Sequence, residues 1–410
     1  MALHLAATSL TSKQFLFLKD VFKYTLTAFG GPQAHVAIML KEFVQKRNYL
    51  TEEELLELNA LCQVLPGPAS TQTITAIGYK IGGLWFAILT FLIWLLPSAI
   101  LMAVAAILFT HLQTKIEIPK LLKIIEPMAL GFVSYAAYIF AQKVLKNKVT
   151  SILALLAFTC SLLLKNPYVF PFMFPVLVLT GGFVTSRINA DEEERDLGEK
   201  LVINVNKKKV AYFFGILILF ALLGGVINRT SFFSLPVRLF ENFYRNGALI
   251  FGGGQVLIPY MYTEFVELKK YLTTQEFLSG YALQQVIPGP VFSFSSFLGG
   301  MAMKKQGISG QLLGSVAAVL GINLPGLILI LFIVPFWNDL KKISRIKNSM
   351  AGVNAVSVGF VAAAFFLLLK PIGVNYFSVS VIVITFCLLR FTKIPAALIM
   401  ITGLVIGFFL

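Results

Sequence analysis

Two stretches of this chain, 222 positions apart, carry the same helix-breaking residues in the same order. The first reads Phe29-Gly30-Gly31-Pro32-Gln33 and then Gln63-Val64-Leu65-Pro66-Gly67-Pro68; the second reads Phe251-Gly252-Gly253-Gly254-Gln255 and then Gln285-Val286-Ile287-Pro288-Gly289-Pro290. Over positions 29 to 68, aligned without a gap, 20 of 40 residues are identical, including Glu42/Glu264, Tyr49/Tyr271, Thr51/Thr273 and Glu54/Glu276. An internal duplication whose shared residues are glycines and prolines inside apolar segments points to two half-sites built from interrupted membrane helices.

Composition places those breaks in a bilayer. With 57% hydrophobic and 13% charged residues and a mean hydropathy of +0.82, the chain is too apolar for a soluble globular protein and reads as an all-α polytopic membrane protein. Its apolar runs are continuous over about 20 residues, which indicates helices and excludes a β-barrel. Thirteen segments are expected: 21–40, 55–79, 84–109, 121–142, 149–165, 167–186, 210–228, 240–262, 277–303, 308–336, 350–370, 374–390 and 393–410. The domain reading is an N-terminal repeat over 1–186, a polar linker with a linking span over 187–228, and a C-terminal repeat over 229–410. The start, Met1 to Ser12, lacks the pattern of a signal peptide. Cys62, Cys160 and Cys387 stand singly, so neither a disulfide framework nor a metal cluster is expected.

The net charge of +15 is spread through short loops and suits membrane topology better than nucleic acid. If every segment crosses, 21 of the 34 Lys and Arg fall on the N-terminal side and 13 on the other. That bias predicts a cytoplasmic N-terminus in the cytoplasmic membrane. Six segments and a linker span separate the repeats, so equivalent elements enter from opposite faces and form an inverted repeat. Re-entry of one segment per half would flip that parity.

Pro66-Gly67-Pro68 cannot continue a helix, because two prolines remove donors and clash with the preceding turn. Backbone groups freed in mid-membrane must face protein, water or ligand. The half-helix that follows presents free amides beside Ser70, Thr71 and Gln72, an arrangement suited to an anion; the second copy, around Pro288 and Gly289, offers Ser293. A packing kink explains one such break more simply than it explains two at equivalent positions. Gly30, Gly31, Gly252 and Gly253 allow close approach to backbone amides, and Gln33, Gln63, Gln255 and Gln285 supply neutral donors unless they bond between helices. Lys23 and Arg245, aligned six residues before each Phe-Gly-Gly, are candidate counter-charges for an anion, with snorkelling as the alternative. Glu126 has no acidic counterpart in the second half and is the candidate proton carrier, an interfacial glutamate being the plainer reading. His4, His35 and His111 share no ligand spacing, and no nucleotide loop, catalytic triad or cofactor motif stands in context. No cofactor or metal is expected.

Phe29-Gly30-Gly31-Pro32 with Ala34-His35, then Pro66-Gly67-Pro68 flanked by Gln63 and Gln72, then Gly78 and Gly82-Gly83, resemble the signature of the chromate ion transporter family. The long form of that family carries the signature twice, as this chain does. The resemblance implies transport of inorganic oxyanions, chiefly chromate efflux conferring resistance, with sulfate as a chemical mimic, and two homologous halves of opposed orientation. Gly254 stands where the first motif has Pro32, and Leu257 where it has His35, so His35 has no counterpart in the second half. The expected activity is secondary transport of a divalent tetrahedral oxyanion by alternating access, with protons as an allowed coupling ion and a homodimer left open. An anion channel, an uptake carrier, an enzyme acting on lipid-linked phosphate and a membrane scaffold are the rivals.

Overall fold

The computed structural model describes residues 11–29, 31–112, 118–163, 170–188, 215, 219, 234–250, 254–336, 344–392 and 394–409. The linker expected between the halves lies outside the described residues, apart from positions 215 and 219. Regular structure among the described residues is helical throughout.

Each half opens with two pairs of short helices. In the first half these are α1 (Ser12–Thr27), α2 (Gly31–Met39, prolonged by a π-helical turn Leu40–Lys46), α3 (Glu52–Val64) and the first limb of α4 (Ala69–Leu112). α4 is bent at Gly83, which has φ 77° and ψ −164°, a conformation open to glycine. α1 and α2 fold back on each other. Tyr24 near the end of α1 donates to the His35 carbonyl near the start of α2 (3.3 Å), and further from the turn Phe17 packs on Phe43 and Asp20 pairs with Arg47 (2.8 Å). α3 and the first limb of α4 do the same. Lys80 forms an ion pair with Glu54, although 26 residues of straight helix would hold them about 39 Å apart.

The second half repeats the plan. α8 in our numbering (Ser234–Leu249) folds back on α9 (Gly254–Tyr262 with a π-helical turn Thr263–Leu268), with Phe243 stacked on Phe265 and Arg245 on Glu264. α10 (Thr274–Val286) folds back on α11 (Phe294–Ala302); Ser293 donates to Gln284 beside the turn, and Lys304 pairs with Glu276 at the far end. α3 and α10 start on identical capping boxes, Thr51 with Glu54 and Thr273 with Glu276.

The stretches 21–40, 55–79, 240–262 and 277–303, expected as single interrupted crossings, are therefore helical hairpins. Length gives the reason. The 13 residues of α3 or α10 reach about 20 Å, short of the ~30 Å hydrocarbon core. At the tips, Gly67 (φ 113°) and Gly289 (φ 118°) adopt backbone that side chains with a Cβ avoid.

From each second hairpin a long helix runs back past the tips: the second limb of α4, and α12 (Gly307–Ile333). The α4 limb starts beside its own hairpin, with Gly78 packed on Thr90, and passes Gly289 at Ser98. It ends among the far ends of the opposite pair, where Gln311 donates to Thr110 (2.9 Å) and Phe109 meets Phe297. The hairpins of the two halves thus have their open ends at opposite ends of this limb.

The remaining helices, α5 (Ile118–Val144), α6 (Lys148–Leu163), α7 (Phe170–Ile188), α13 (Ser344–Ile372), α14 (Tyr376–Phe391) and α15 (Ala396–Phe409), form a second bundle in which the halves interlock. α13 packs on α6 and α7, and α5 packs on α14 and α15. Small residues set the spacing: a Cβ on Gly352 would stand 1.8 Å from the Gly181 carbonyl, and one on Gly359 would stand 2.1 Å from that of Ala154. Four helical stretches among the described residues, Ala69–Leu112, Ile124–Val144, Lys304–Phe336 and Ala351–Ile372, are long and apolar enough to cross a membrane. Their outer faces expose rows such as Leu92, Leu96, Ile100 and Val104, an apolar surface suited to lipid.

Candidate substrate site at the hairpin tips

The two Pro-Gly-Pro breaks meet the ends of α1 and α8 through a reciprocal exchange. The Gly67 amide donates to the carbonyl of Ile250 (2.8 Å), and the Gly289 amide donates to that of Ala28 (2.9 Å). Gly67 is equivalent to Gly289, and Ala28 to Ile250. Each Pro-Gly-Pro tip therefore holds the residue that precedes the glycine break of the opposite half, as a two-fold axis requires. The long helices complete the contact: a Cβ on Gly67 would stand 3.2 Å from Gly326 Cα on α12, and one on Gly289 would stand 2.7 Å from Ser98 Cβ on α4. α2, α4, α9 and the helical turn Val291–Ser293 all begin here. Their first amides and aligned dipoles favour negative charge.

The two sides of this junction differ chemically. On the first, Tyr24 stacks on Trp94 (4.6 Å between centroids), Trp94 donates to Thr71 Oγ1 (3.0 Å), and His35 Nδ1 lies 3.2 Å from Ser70 Oγ. Gln72 donates to the Pro66 carbonyl (3.0 Å) and to that of Gly326 (3.2 Å). The equivalents of Tyr24, His35, Ser70 and Gln72 are Asn246, Leu257, Phe292 and Phe294. Five buried polar atoms around the tips lack a hydrogen-bond partner: His35 Nε2, Gln72 Oε1, both amide atoms of Asn246, and Asn323 Oδ1. Asn246 lies one helical turn before Ile250, and Asn323 one turn before Gly326. Buried orphan groups cost roughly 1–3 kcal/mol each, and a polar ligand or water at the tips would satisfy them.

The residues expected from the sequence divide into three groups. Pro66, Gly67, Pro288 and Gly289 form the tips, and Ser70, Thr71 and Ser293 are buried just behind them. Gly31 and Gln33 lie in the first turn of α2 and Gln255 in that of α9. Gly30, Gly252 and Gly253 lie outside the described residues. Gln63 is exposed at the end of α3 and Gln285 half-buried at the end of α10. Lys23 and Arg245 lie in different surroundings. Lys23 is exposed, and Arg245 is held by Glu264 (2.6 Å) and Glu241 (3.2 Å), with Lys269 also on Glu264 (2.7 Å), so its charge is balanced within the protein. Glu126 is half-buried on α5, in the other bundle. Among the described residues no group of three metal-ligating side chains occurs.

Tyr24, Trp94, Asn246, Asn323 and the Ser98/Gly326 contacts escape a sequence reading. Pro97 and Pro325, which precede Ser98 and Gly326, are 228 positions apart rather than 222, so a gapless comparison does not pair them.

The family model for chromate transporters matches residues 15–185 and 237–408. The chain belongs to the chromate transporter family. The two matched regions cover the two halves of the fold, one on each side of the linker, and membership makes this a membrane transporter and not an enzyme. This chromate transporter family member is 24% identical to an uncharacterised transporter of Methanocaldococcus jannaschii, over 94% of this chain and 92% of that one. It is 23% identical to a probable chromate transport protein of Synechococcus elongatus (86% and 84% covered) and 23% identical to a chromate transport protein of Cupriavidus metallidurans (98% and 95% covered). No solved structure matches it.

Proposed function

We propose that this family member carries a divalent tetrahedral oxyanion, chromate with sulfate as its mimic, through a site at the meeting point of the four hairpin tips. The observation that carries this reading is the reciprocal Gly67–Ile250 and Gly289–Ala28 exchange, which gathers four helix starts and five orphan polar atoms at one place. Gly31, Gln33, Gln63, Ser70 and Thr71 contribute from one side, and Gln255, Gln285 and Ser293 from the other. Neutral donors and helix dipoles carry the recognition, since Arg245 is already paired. Such sites between discontinuous helices of repeated halves suit secondary transport.

The halves are inverted across the membrane in this reading. Support comes from the hairpin ends lying at opposite ends of the long α4 limb. Two re-entrant segments per half restore the parity that one would flip. With the hairpins counted as returning, 22 of the 34 Lys and Arg fall on the N-terminal side, which keeps the N-terminus cytoplasmic. An inside-negative potential drives a dianion outward by about twice 2.3 kcal/mol per 100 mV, so efflux through the cytoplasmic membrane needs no coupled ion.

Alternating access is supported by an asymmetry between equivalent residues. Leu56 on α3 is 48% exposed and Leu278 on α10 is 0% exposed. Ala60 is exposed and Ala282 buried in the same way. α10 packs along α5 and α15, sealing its side, while α3 touches the bundle lightly at α13. The α3 face also carries Glu53, Glu57 and Gln63, which suits a water-filled entrance better than lipid.

The test is flux of labelled chromate and sulfate in proteoliposomes. A carrier gives saturable flux stimulated by substrate on the opposite side. Flux that ignores opposite-side substrate would instead indicate a channel, and no flux of either ion by folded protein would overturn the oxyanion reading.

A further inference from the structure

We infer that His35 is a proton-binding residue of the oxyanion site, and that proton and dianion bind there cooperatively. This inference rests on the tip site proposed above. His35 is 1% exposed, its Nδ1 faces Ser70 Oγ, and its Nε2 has no hydrogen-bond partner. The ring lies beside the Ala28 carbonyl, the same oxygen that receives the Gly289 amide from the other half. His35 therefore borders both a helix start in its own half and the crossing between halves. Leu257 at the equivalent position offers no such group, so the second half supplies no duplicate.

Among the described residues at the tips, the imidazole is the group that can become cationic. α1 contributes Tyr24, whose phenol donates to the carbonyl of His35, and α4 contributes Ser70 and Trp94. On the same hairpin Asp20 pairs with Arg47 and Glu42 with Lys46, away from the tip, and Lys23 and Lys41 are exposed. A dianion brought to neutral donors lacks a compensating charge. Protonation of the imidazole, with a proton taken from water on the open side, supplies that charge and makes both ring nitrogens donors towards an acceptor-only ligand. By linkage the bound dianion holds the proton more tightly, and loss of either weakens the hold on the other. Histidine is suited to this because its ordinary titration falls between about pH 5 and 8.

The experiment is sulfate binding to the purified full chain across about pH 5 to 8, where sulfate itself does not titrate, for wild type, His35→Gln and Glu126→Gln. Wild type should lose affinity by up to about tenfold per pH unit on the alkaline side of the imidazole titration. His35→Gln should bind weakly with a flat profile, and Glu126→Gln should keep the wild-type slope. A flat wild-type profile, or an unchanged slope in His35→Gln, overturns the role of His35 while leaving the site standing. Absence of sulfate and chromate binding at every pH by folded wild type removes the site and this inference with it. Calorimetry of wild type in buffers of different ionisation heat covers the case in which His35→Gln does not fold. Sulfate binding should be accompanied by proton uptake within this pH range, and no uptake at any pH overturns the inference.

Discussion

Glu54 and Glu276 occupy equivalent positions, cap equivalent helices and each pair with a lysine at the far end of their hairpin, yet their side chains are 39% and 4% exposed. An exposed pair contributes about 0–1 kcal/mol. Removing one member of a buried pair costs about 3–5 kcal/mol by leaving its partner uncompensated. Because Lys304 is still 29% exposed, Glu276→Gln should fall at the lower end, about 3 kcal/mol. Glu54→Gln should cost less than about 1 kcal/mol. Denaturant unfolding of both variants in detergent checks this, and equal losses would mean that the burial difference has no energetic weight. The same contrast separates Arg245, locked between two carboxylates, from exposed Lys23. Their alignment was plain in the sequence, but burial depends on which helices lie outside them, and that is not a local property.

At the scale of the element, the hairpin is the unit that determines the site. A 13-residue helix, a Pro-Gly-Pro turn and a second helical stretch read equally well as one broken crossing, the expectation for residues 55–79 and 277–303. The pairing of Lys80 with Glu54 and of Lys304 with Glu276 shows the reversal. The tip glycines offer a direct check. Alanine at Gly289 would combine a φ of 118° with a Cβ 2.7 Å from Ser98, whereas alanine at Gly83, with φ 77°, would meet nothing within 4 Å. Backbone strain costs about 1–3 kcal/mol in either case, but only Gly289→Ala displaces the tip. Both variants should lose comparable stability from strain, while sulfate flux should collapse in Gly289→Ala and persist in Gly83→Ala. Flux retained in a folded Gly289→Ala protein would count against the tips as the site.

For the whole molecule, the apolar core is divided unequally. The hairpins of the second half share one continuous core with the interlocked bundle, while those of the first half form a separate core around Phe17, Phe43 and Trp94. In the alternating-access reading proposed above, a second conformation exchanges these surroundings, α3 closing on α13 and α7 as α10 now closes on α5 and α15. In a background with Cys62, Cys160 and Cys387 replaced, Leu56→Cys should react with a membrane-impermeant maleimide applied from the N-terminal side. Leu278→Cys should be protected from either side in this conformation. Substrate that drives turnover should raise labelling of Leu278→Cys from the opposite face. Equal labelling of both positions without substrate would rule out the proposed entrance.

The sequence alone determined the membrane class, the two halves and the residues that break their helices, because composition and the chemistry of glycine and proline act locally. It also marked Pro66 and Gly67, with their repeats Pro288 and Gly289, as breaks in the chain, since duplication singles them out. The reversal at each tip, the exchange between Gly67 and Ile250 and between Gly289 and Ala28, the isolation of His35 Nε2 and the pairing of Arg245 were decided by the tertiary structure. The exchange joins residues more than 180 positions apart, and the reversals and the Arg245–Glu264 pair join residues 19 to 28 positions apart, so each depends on which segments fold side by side.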